Sequence, residues 1–202
     1  MGTRDKNGQK APAREHPSSW DETLCPIARA ADIIADRYVI LILRELRMGN
    51  DRFDGLQAQT GMSSRLLVQR LKMMESNGLI QRELYFQRPK RYRYIQTPKA
   101  QELDAFMLHL RLWGMRHCCS SSDRESAVTM VHKRTGALVD KNWSIPEEDV
   151  PFSFSQVESR INSDWAAERD ARAKCFFDAK KASVARRRKS TSPKKSASTK
   201  MQ

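Results

Sequence analysis

Hydrophobic positions fall into helical register along most of the first half of the chain. After Pro26, the residues Ile27, Ala30, Ala31, Ile33 and Ile34 make one apolar side. Pro26 suits a first helical turn, because its missing N–H leaves nothing unsatisfied there. Asp36 and Arg37 interrupt the run. Tyr38 to Met48 follows with Val39, Leu41, Ile42, Leu43 and Leu46, apolar nearly all round, so this second helix is expected at the centre of a domain. Gly49-Asn50-Asp51 reads as a turn, and Phe53, Leu56 and Gln57 as a short third helix ending at Gly61. A fourth helix spans Met62 to Gly78. Ser63 or Ser64 can cap it, the hydroxyl accepting from a free first-turn amide. Leu66, Leu67, Leu71 and Met74 share the side that closes onto a core.

From Leu79 the period changes from helical to alternating. The stretch LIQRELYFQRPKRYRYIQT predicts two strands joined at Gln87-Arg88-Pro89-Lys90. Thr97-Pro98 opens a long helix to about Cys118, with Thr97 as cap. Leu103, Phe106, Met107, Leu110 and Trp113 form its apolar stripe, widened by Leu108 and Leu112. The stripe can pack wholly on its own domain. It exceeds what a peripheral helix of a small domain needs, so Phe106, Leu110 and Trp113 are expected at a dimer contact. Beyond Cys119 the patterns weaken. Ser120 to Glu125 is a polar link, AVTMVHKRTGALVD alternates about Arg134-Thr135-Gly136 like a small hairpin, and Ser155-Gln156-Val157-Glu158 has capping-box spacing before a helix that could reach Lys181. The fold class is mainly α with a small β-hairpin. The organisation is a flexible arm (1–19), a main domain (20–119), a small extension of hairpin plus helix (126–182) and a disordered basic tail (183–202).

Charge sharpens this picture. The chain has 202 residues, a formal net charge of +13 and a pI near 9.9. An excess of that kind points to a polyanionic partner such as nucleic acid. Nine of those charges lie in Lys180 to Gln202, where no acid occurs, so the pI mostly describes the tail. Within the tail, Ser192-Pro193-Lys194-Lys195 is similar to the A/T-preferring repeats of linker-histone tails, though a plain polycation has the same composition. Two further groups of cations are placed by the elements themselves. Arg65, Val68, Gln69 and Lys72 fall on the outer face of the fourth helix, with no acid among them. Such a face can meet phosphates and base edges, although any amphipathic surface helix shares the spacing. Arg82, Arg88, Lys90, Arg91 and Arg93 crowd the hairpin, opposed by Glu83 alone. Charge also protects edge hairpins from aggregation, but that needs only a residue or two.

Other chemistry is sparse. No apolar run is long enough to span a bilayer, and the polar opening residues contain no secretory core, so membrane contact is not expected. The four cysteines Cys25, Cys118, Cys119 and Cys175 match neither zinc spacing nor a disulfide scaffold, which fits a reducing cytoplasm. No catalytic triad, phosphate loop or metal motif occurs, and His16, His109, His117 and His132 are scattered. The expectation is therefore a non-enzyme without cofactor or metal. A weakly specific architectural DNA-binding protein, its affinity dominated by the tail, is the alternative to a sequence-specific one.

Helix, helix, helix, recognition helix, hairpin and long helix is the order of a winged helix-turn-helix. The residues also resemble a family. Cys25-Pro-Ile-Ala-Arg-Ala-Ala-Asp-Ile-Ile, Leu41-Ile-Leu-Arg-Glu-Leu, Arg52-Phe-Asp-Gly-Leu, Ser64-Arg-Leu-Leu-Val-Gln-Arg-Leu, Glu75-Ser-Asn-Gly-Leu-Ile, Tyr94-Ile-Gln-Thr-Pro-Lys-Ala and Trp113-Gly look like the HxlR-type transcriptional regulators, over about Leu24 to His117. The resemblance implies a cytoplasmic, nucleoid-associated homodimer, related in fold to MarR-type regulators and joined through its first and last helices. It implies binding to a pseudo-palindromic operator in double-stranded DNA through Ser63, Ser64, Arg65, Gln69, Arg70, Lys72, Arg88, Lys90 and Arg91. A small-molecule or electrophile effector is a candidate partner, and Cys25 its candidate sensor. A thiol at a helix N-terminus is favoured as the thiolate, and Arg29 is close in sequence; a small apolar packing role is the other reading of Cys25. Tyr38 stands where the family usually has Trp, and Val68 where it usually has Ser or Thr. His132-Lys-Arg-Thr-Gly is similar to a metal-binding module of some members without its cysteines.

Overall fold

The computed structural model describes residues 23–118 and 127–191. The expected N-terminal arm, Cys119, the polar link and Ser192-Pro193-Lys194-Lys195 lie outside them.

Four helices come first: α1 (Pro26–Ile34), α2 (Arg37–Arg47), α3 (Phe53–Thr60) and α4 (Ser64–Ser76). Their boundaries have local causes. Asp36 caps α2 by accepting from the Tyr38 amide at 2.7 Å. α3 stops at Gly61, whose φ of 70° lies in the left-handed region that glycine enters without a Cβ penalty. Ser63 caps α4 through the Leu66 amide. The hairpin follows as β1 (Ile80–Gln87) and β2 (Lys90–Gln96), antiparallel, with a register shift between Leu84 and Phe86. Val39, Ile42 and Leu43 of α2, Leu56 of α3, Leu67, Leu71 and Met74 of α4, and Leu79 and Ile80 entering β1 form the first core. The α2 helix is therefore central, and one face of α4 is spent on the core.

The expected long helix is broken. α5 (Pro98–Gln101) and α6 (Asp104–His117) are separate. The cause is a divided allegiance. Ala100 and Leu103 pack on the first core, whereas Leu108 and Leu112 are buried in a second one with Val139, Phe152 and Val157. At the break Asp104 is buried. It accepts from the Phe154 amide at 2.8 Å and forms an ion pair with Arg47 of α2. The second core is thereby tied to the first.

The extension differs from its expected layout. β3 (Val128–His132) pairs antiparallel with β4 (Val157–Ile161), from Val128 opposite Ile161 to His132 opposite Val157. The chain does turn at Gly136, but only the Val131–Leu138 bridge and bonds such as Val139 N–H to the Met130 carbonyl mark the expected hairpin. Ser155 caps no long helix. Ser153 and Gln156 make the capping box, around a 3-10 turn at Phe154–Gln156. The helix α7 (Ser163–Thr191) starts after β4. It runs past Lys181 and through nine residues of the stretch expected to be disordered. Ala182 to Thr191 contains no Gly or Pro and several strong helix formers, so nothing local stops it before Ser192-Pro193.

Candidate nucleic-acid interface

The outer face of α4 is built as a rigid platform. Leu67, Leu71 and Met74 are buried beneath it. Its amino end is held by Gln57 of α3, whose side-chain amide donates to Ser64 Oγ at 2.9 Å and to the Met62 carbonyl at 3.1 Å. Ser63, Ser64, Arg65, Val68, Gln69 and Lys72 are exposed. Among the described residues, no carboxylate pairs with Arg65 or Lys72. The face is thus free for an external anion.

Arg70 stands apart from this set. It leans back to Asp36, with Nε at 2.9 Å and a second guanidinium nitrogen at 2.7 Å from the carboxylate. Burial opposes the charge on Asp36, but Arg70 and the Tyr38 amide outweigh it and hold that carboxyl below its ordinary range. Arg70 therefore braces α4 against the start of α2.

The hairpin sorts its cations in the same way. Arg93 is spent on Glu83, at 2.8 and 3.1 Å, and Arg82 on Glu75. Arg88, Lys90 and Arg91 at the tip are exposed and, among the described residues, have no carboxylate partner. The wing is anchored to the helices through the Tyr94 amide, which donates to the Asp51 carbonyl at 2.9 Å.

The third element here was not legible in the sequence. α7 lies antiparallel along α3: the Gln59 side chain donates to the Arg169 carbonyl at 2.8 Å near one end, and Lys180 meets Asp54 at 2.6 Å near the other. Its main fastening is Glu45, fully buried in α2. Arg169 grips both carboxylate oxygens at 2.8 and 2.6 Å, and Asn50 and Arg44 donate to the same group at 2.9 and 2.7 Å. Beyond that clamp Phe177 lines a shallow groove with Tyr85, Lys90 and Arg91 of the wing. Lys181 and Arg186, which follow these contacts on α7, are exposed.

Two expected sites lie elsewhere. Phe106, Leu110 and Trp113 form an exposed apolar strip on α6, and no residue of α1 is buried, with Ile27 78% exposed. Cys25 occupies the N-cap position of α1 without a side-chain hydrogen bond to the helix, and it is exposed. His132 is buried, with Nδ1 2.8 Å from Thr135 Oγ1 and Nε2 3.1 Å from the Asp149 carboxylate. Among the described residues no group of His, Cys, Asp and Glu is arranged to hold a metal ion, and no helix is long and apolar enough to cross a membrane.

Three helices closing on a core, a fourth with a bare polar face and a basic hairpin beside it define a winged helix-turn-helix protein. The HxlR-like helix-turn-helix family model matches residues 33–122. An uncharacterized HTH-type transcriptional regulator of Synechocystis is 33% identical over 92 residues, 45% of this chain and 68% of its own. YdeP of Bacillus subtilis, also an uncharacterized HTH-type transcriptional regulator, is 31% identical over 50% of this chain and 79% of its own. YvaP of the same organism is 33% identical over 45% and 86%. The chain belongs to the HxlR-like family of transcriptional regulators. The crystal structure of PA1607 superposes with a TM-score of 0.53 at 22% identity, over 70% of this chain and 96% of that one, and so shares the fold.

Proposed function

We propose that the protein is a sequence-specific transcriptional regulator that binds a pseudo-palindromic operator as a homodimer. The observation that carries this reading is the face of α4, whose exposed cations and amide stand unpaired over a buried apolar base. Such a face fits the major groove, where Gln can pair with adenine and Arg with guanine edges. Arg65 and Gln69 read bases, Ser63, Ser64 and Lys72 meet phosphates, and Arg88, Lys90 and Arg91 reach the backbone beside them. Arg70 supports the helix from behind. Gln69→Ala is expected to cost about 1–3 kcal/mol on the preferred site and to relax preference at one position. Lys72→Ala should weaken all sequences alike. Binding titrations against single-base variants of the site read both effects, and an unchanged profile for Gln69→Ala would remove α4 from the groove.

Dimerisation is supported by the strip of Phe106, Leu110 and Trp113 and by the uncovered α1. An apolar surface of this kind is a liability in a monomer. Leu110→Glu with Trp113→Glu should yield monomers or insoluble protein. Sedimentation of the wild type at micromolar concentration is the check, and a soluble monomer there would contradict the dimer.

The exposure of Cys25 at the head of α1 suits an electrophile input at that dimer face. A quinone should weaken operator binding by the wild type and spare Cys25→Ser. Equal responses of the two proteins would leave Cys25 a packing role.

An architectural mode of binding is favoured by a different observation, the contacts of Phe177 and Lys180 with the wing groove and α3, directly ahead of the basic end of α7. Salt dependence separates it from operator reading.

A further inference from the structure

We propose that a cavity between α2, α6 and the β3–β4 sheet binds a small carboxylate with an apolar body. The cavity measures about 940 Å³, within the range of about 300–1,000 Å³ usual for ligand pockets. Its walls are set by elements distant in sequence. Leu41 of α2, Met107 of α6, Met130 of β3, Ile161 of β4 and Trp165 of α7 supply the apolar surface. Methionine side chains adapt to the shape of a guest, and an indole offers an aromatic face.

Among the described residues, the charged groups on the walls are of one sign: Arg44, Arg47 and Arg111 line the cavity, and no described lining residue is acidic. Their settings differ. Arg111 is deeply placed, donates to the Val139 and Val128 carbonyls, and is held below its ordinary range by burial. Arg44 lies over Trp165 and gives one edge to Glu45. Arg47 reaches Asp104 and lies over the Phe154 ring. Guanidinium groups on the walls of an otherwise apolar chamber fit a carboxylate that enters with its hydrocarbon part against the methionines.

The fold suits a regulatory use of this site, which rests on the DNA-binding reading above. α2 belongs to the DNA-reading domain, and Leu110 borders both the cavity and the strip assigned to the partner subunit. An occupant would therefore bear on the spacing of the two.

Binding itself is tested without DNA, so that its failure and the failure of operator reading remain distinct. The full chain is titrated calorimetrically with 1-naphthoate and with 1-naphthamide, which has the same rings and no charge. The acid should bind more than about tenfold more tightly than the amide, the factor expected for a charge-assisted hydrogen bond. Gly114 supplies the site control. It lines the cavity on α6, and a Cβ added there would meet nothing within 4 Å. Gly114→Leu should intrude on the cavity, weaken naphthoate binding and retain or raise the melting temperature, since leucine favours a helix more than glycine does. Quenching of Trp165 by naphthoate, isolated as the difference between wild type and Trp165→Phe, locates the ligand independently of that variant. Equal affinity for acid and amide, undiminished binding by folded Gly114→Leu, quenching unaffected by Trp165→Phe, or no binding of naphthoate at millimolar concentration would each overturn the proposal.

Discussion

Glu45→Ala is expected to destabilise the protein by about 3–5 kcal/mol, the usual effect of breaking a buried ion pair from one side. Glu45 is fully buried, and Arg169, its principal partner, is 13% exposed. Removing the carboxylate strands Arg169 against α2 and leaves the Asn50 amide without its acceptor. The loss should fall on the docking of α7, because this cluster and Gln59 hold the helix to the domain. Denaturant melts should show the lower midpoint, and proteolysis should begin within α7. A Glu45→Met, Arg169→Leu double variant removes both charges and should recover part of the stability. Acid should act in the same direction. Burial pushes the Glu45 carboxyl up, but the bonds from Arg169 and Asn50 and the nearby Arg44 charge outweigh it, and the net position is below the ordinary 4.5. A group lowered on folding contributes stability above its unfolded value and loses it as pH falls through its folded one. Docking of α7 should therefore be unaffected near neutrality and weaken below about pH 4. Stability that does not change between pH 7 and pH 3 in the wild type, or a neutral Glu45→Ala, would mean that the clamp is not what holds α7.

Ending the chain at Ala185 should flatten the salt dependence of DNA binding by several units. The deletion removes Arg186, Arg187, Arg188, Lys189, Lys194, Lys195 and Lys200. Each phosphate neutralised on duplex DNA contributes about 0.9 to the slope of log affinity against log salt, so the deletion can remove at most about six units. Lys180, which meets Asp54, and the Glu45 clamp are retained, so α7 stays docked. Cations that follow the docked part of α7 meet whatever phosphates flank the site. Specific and nonspecific affinity should thus fall together, and their ratio should barely change. Replacing Arg88, Lys90 and Arg91 by Ala behaves differently. Those cations sit on a hairpin fixed beside α4, so the slope should flatten by at most about three units and the ratio should fall. Titrations of both variants on operator and scrambled duplexes separate the two contributions. A tail deletion that leaves the slope unchanged would mean that the tail does not touch DNA.

Local pattern made the DNA-reading half legible. The α1–α4 helices and the wing are set by apolar period, caps and turn residues within a few positions of each other, and the outward set of Arg65, Gln69 and Lys72 follows from the same period. Contacts across long stretches of chain were not legible. Glu45 and Arg169 are 124 residues apart, and an acid inside the apolar Leu41–Leu46 run was the only hint that α2 awaits a distant cation. β4 was hidden by the capping-box spacing of Ser155 and Glu158, whereas the box that forms is Ser153 with Gln156 around a 3-10 turn. The break between α5 and α6 depends on a second core assembled from residues beyond 138, which no helical period can announce. Arg70 shares the polar side of α4 with Arg65, Gln69 and Lys72, and only the position of Asp36 turns it inward.

Selection of bound duplexes from a random pool separates base reading by α4 from attraction to phosphates alone. Wild-type protein at physiological salt should enrich one pseudo-palindromic site, its half-sites about one helical turn apart. Gln69→Ala should enrich the same spacing with one position in each half-site relaxed. A pool that stays random after repeated selection, while still being bound, would contradict base reading by α4 and leave the basic end of α7 as the source of affinity.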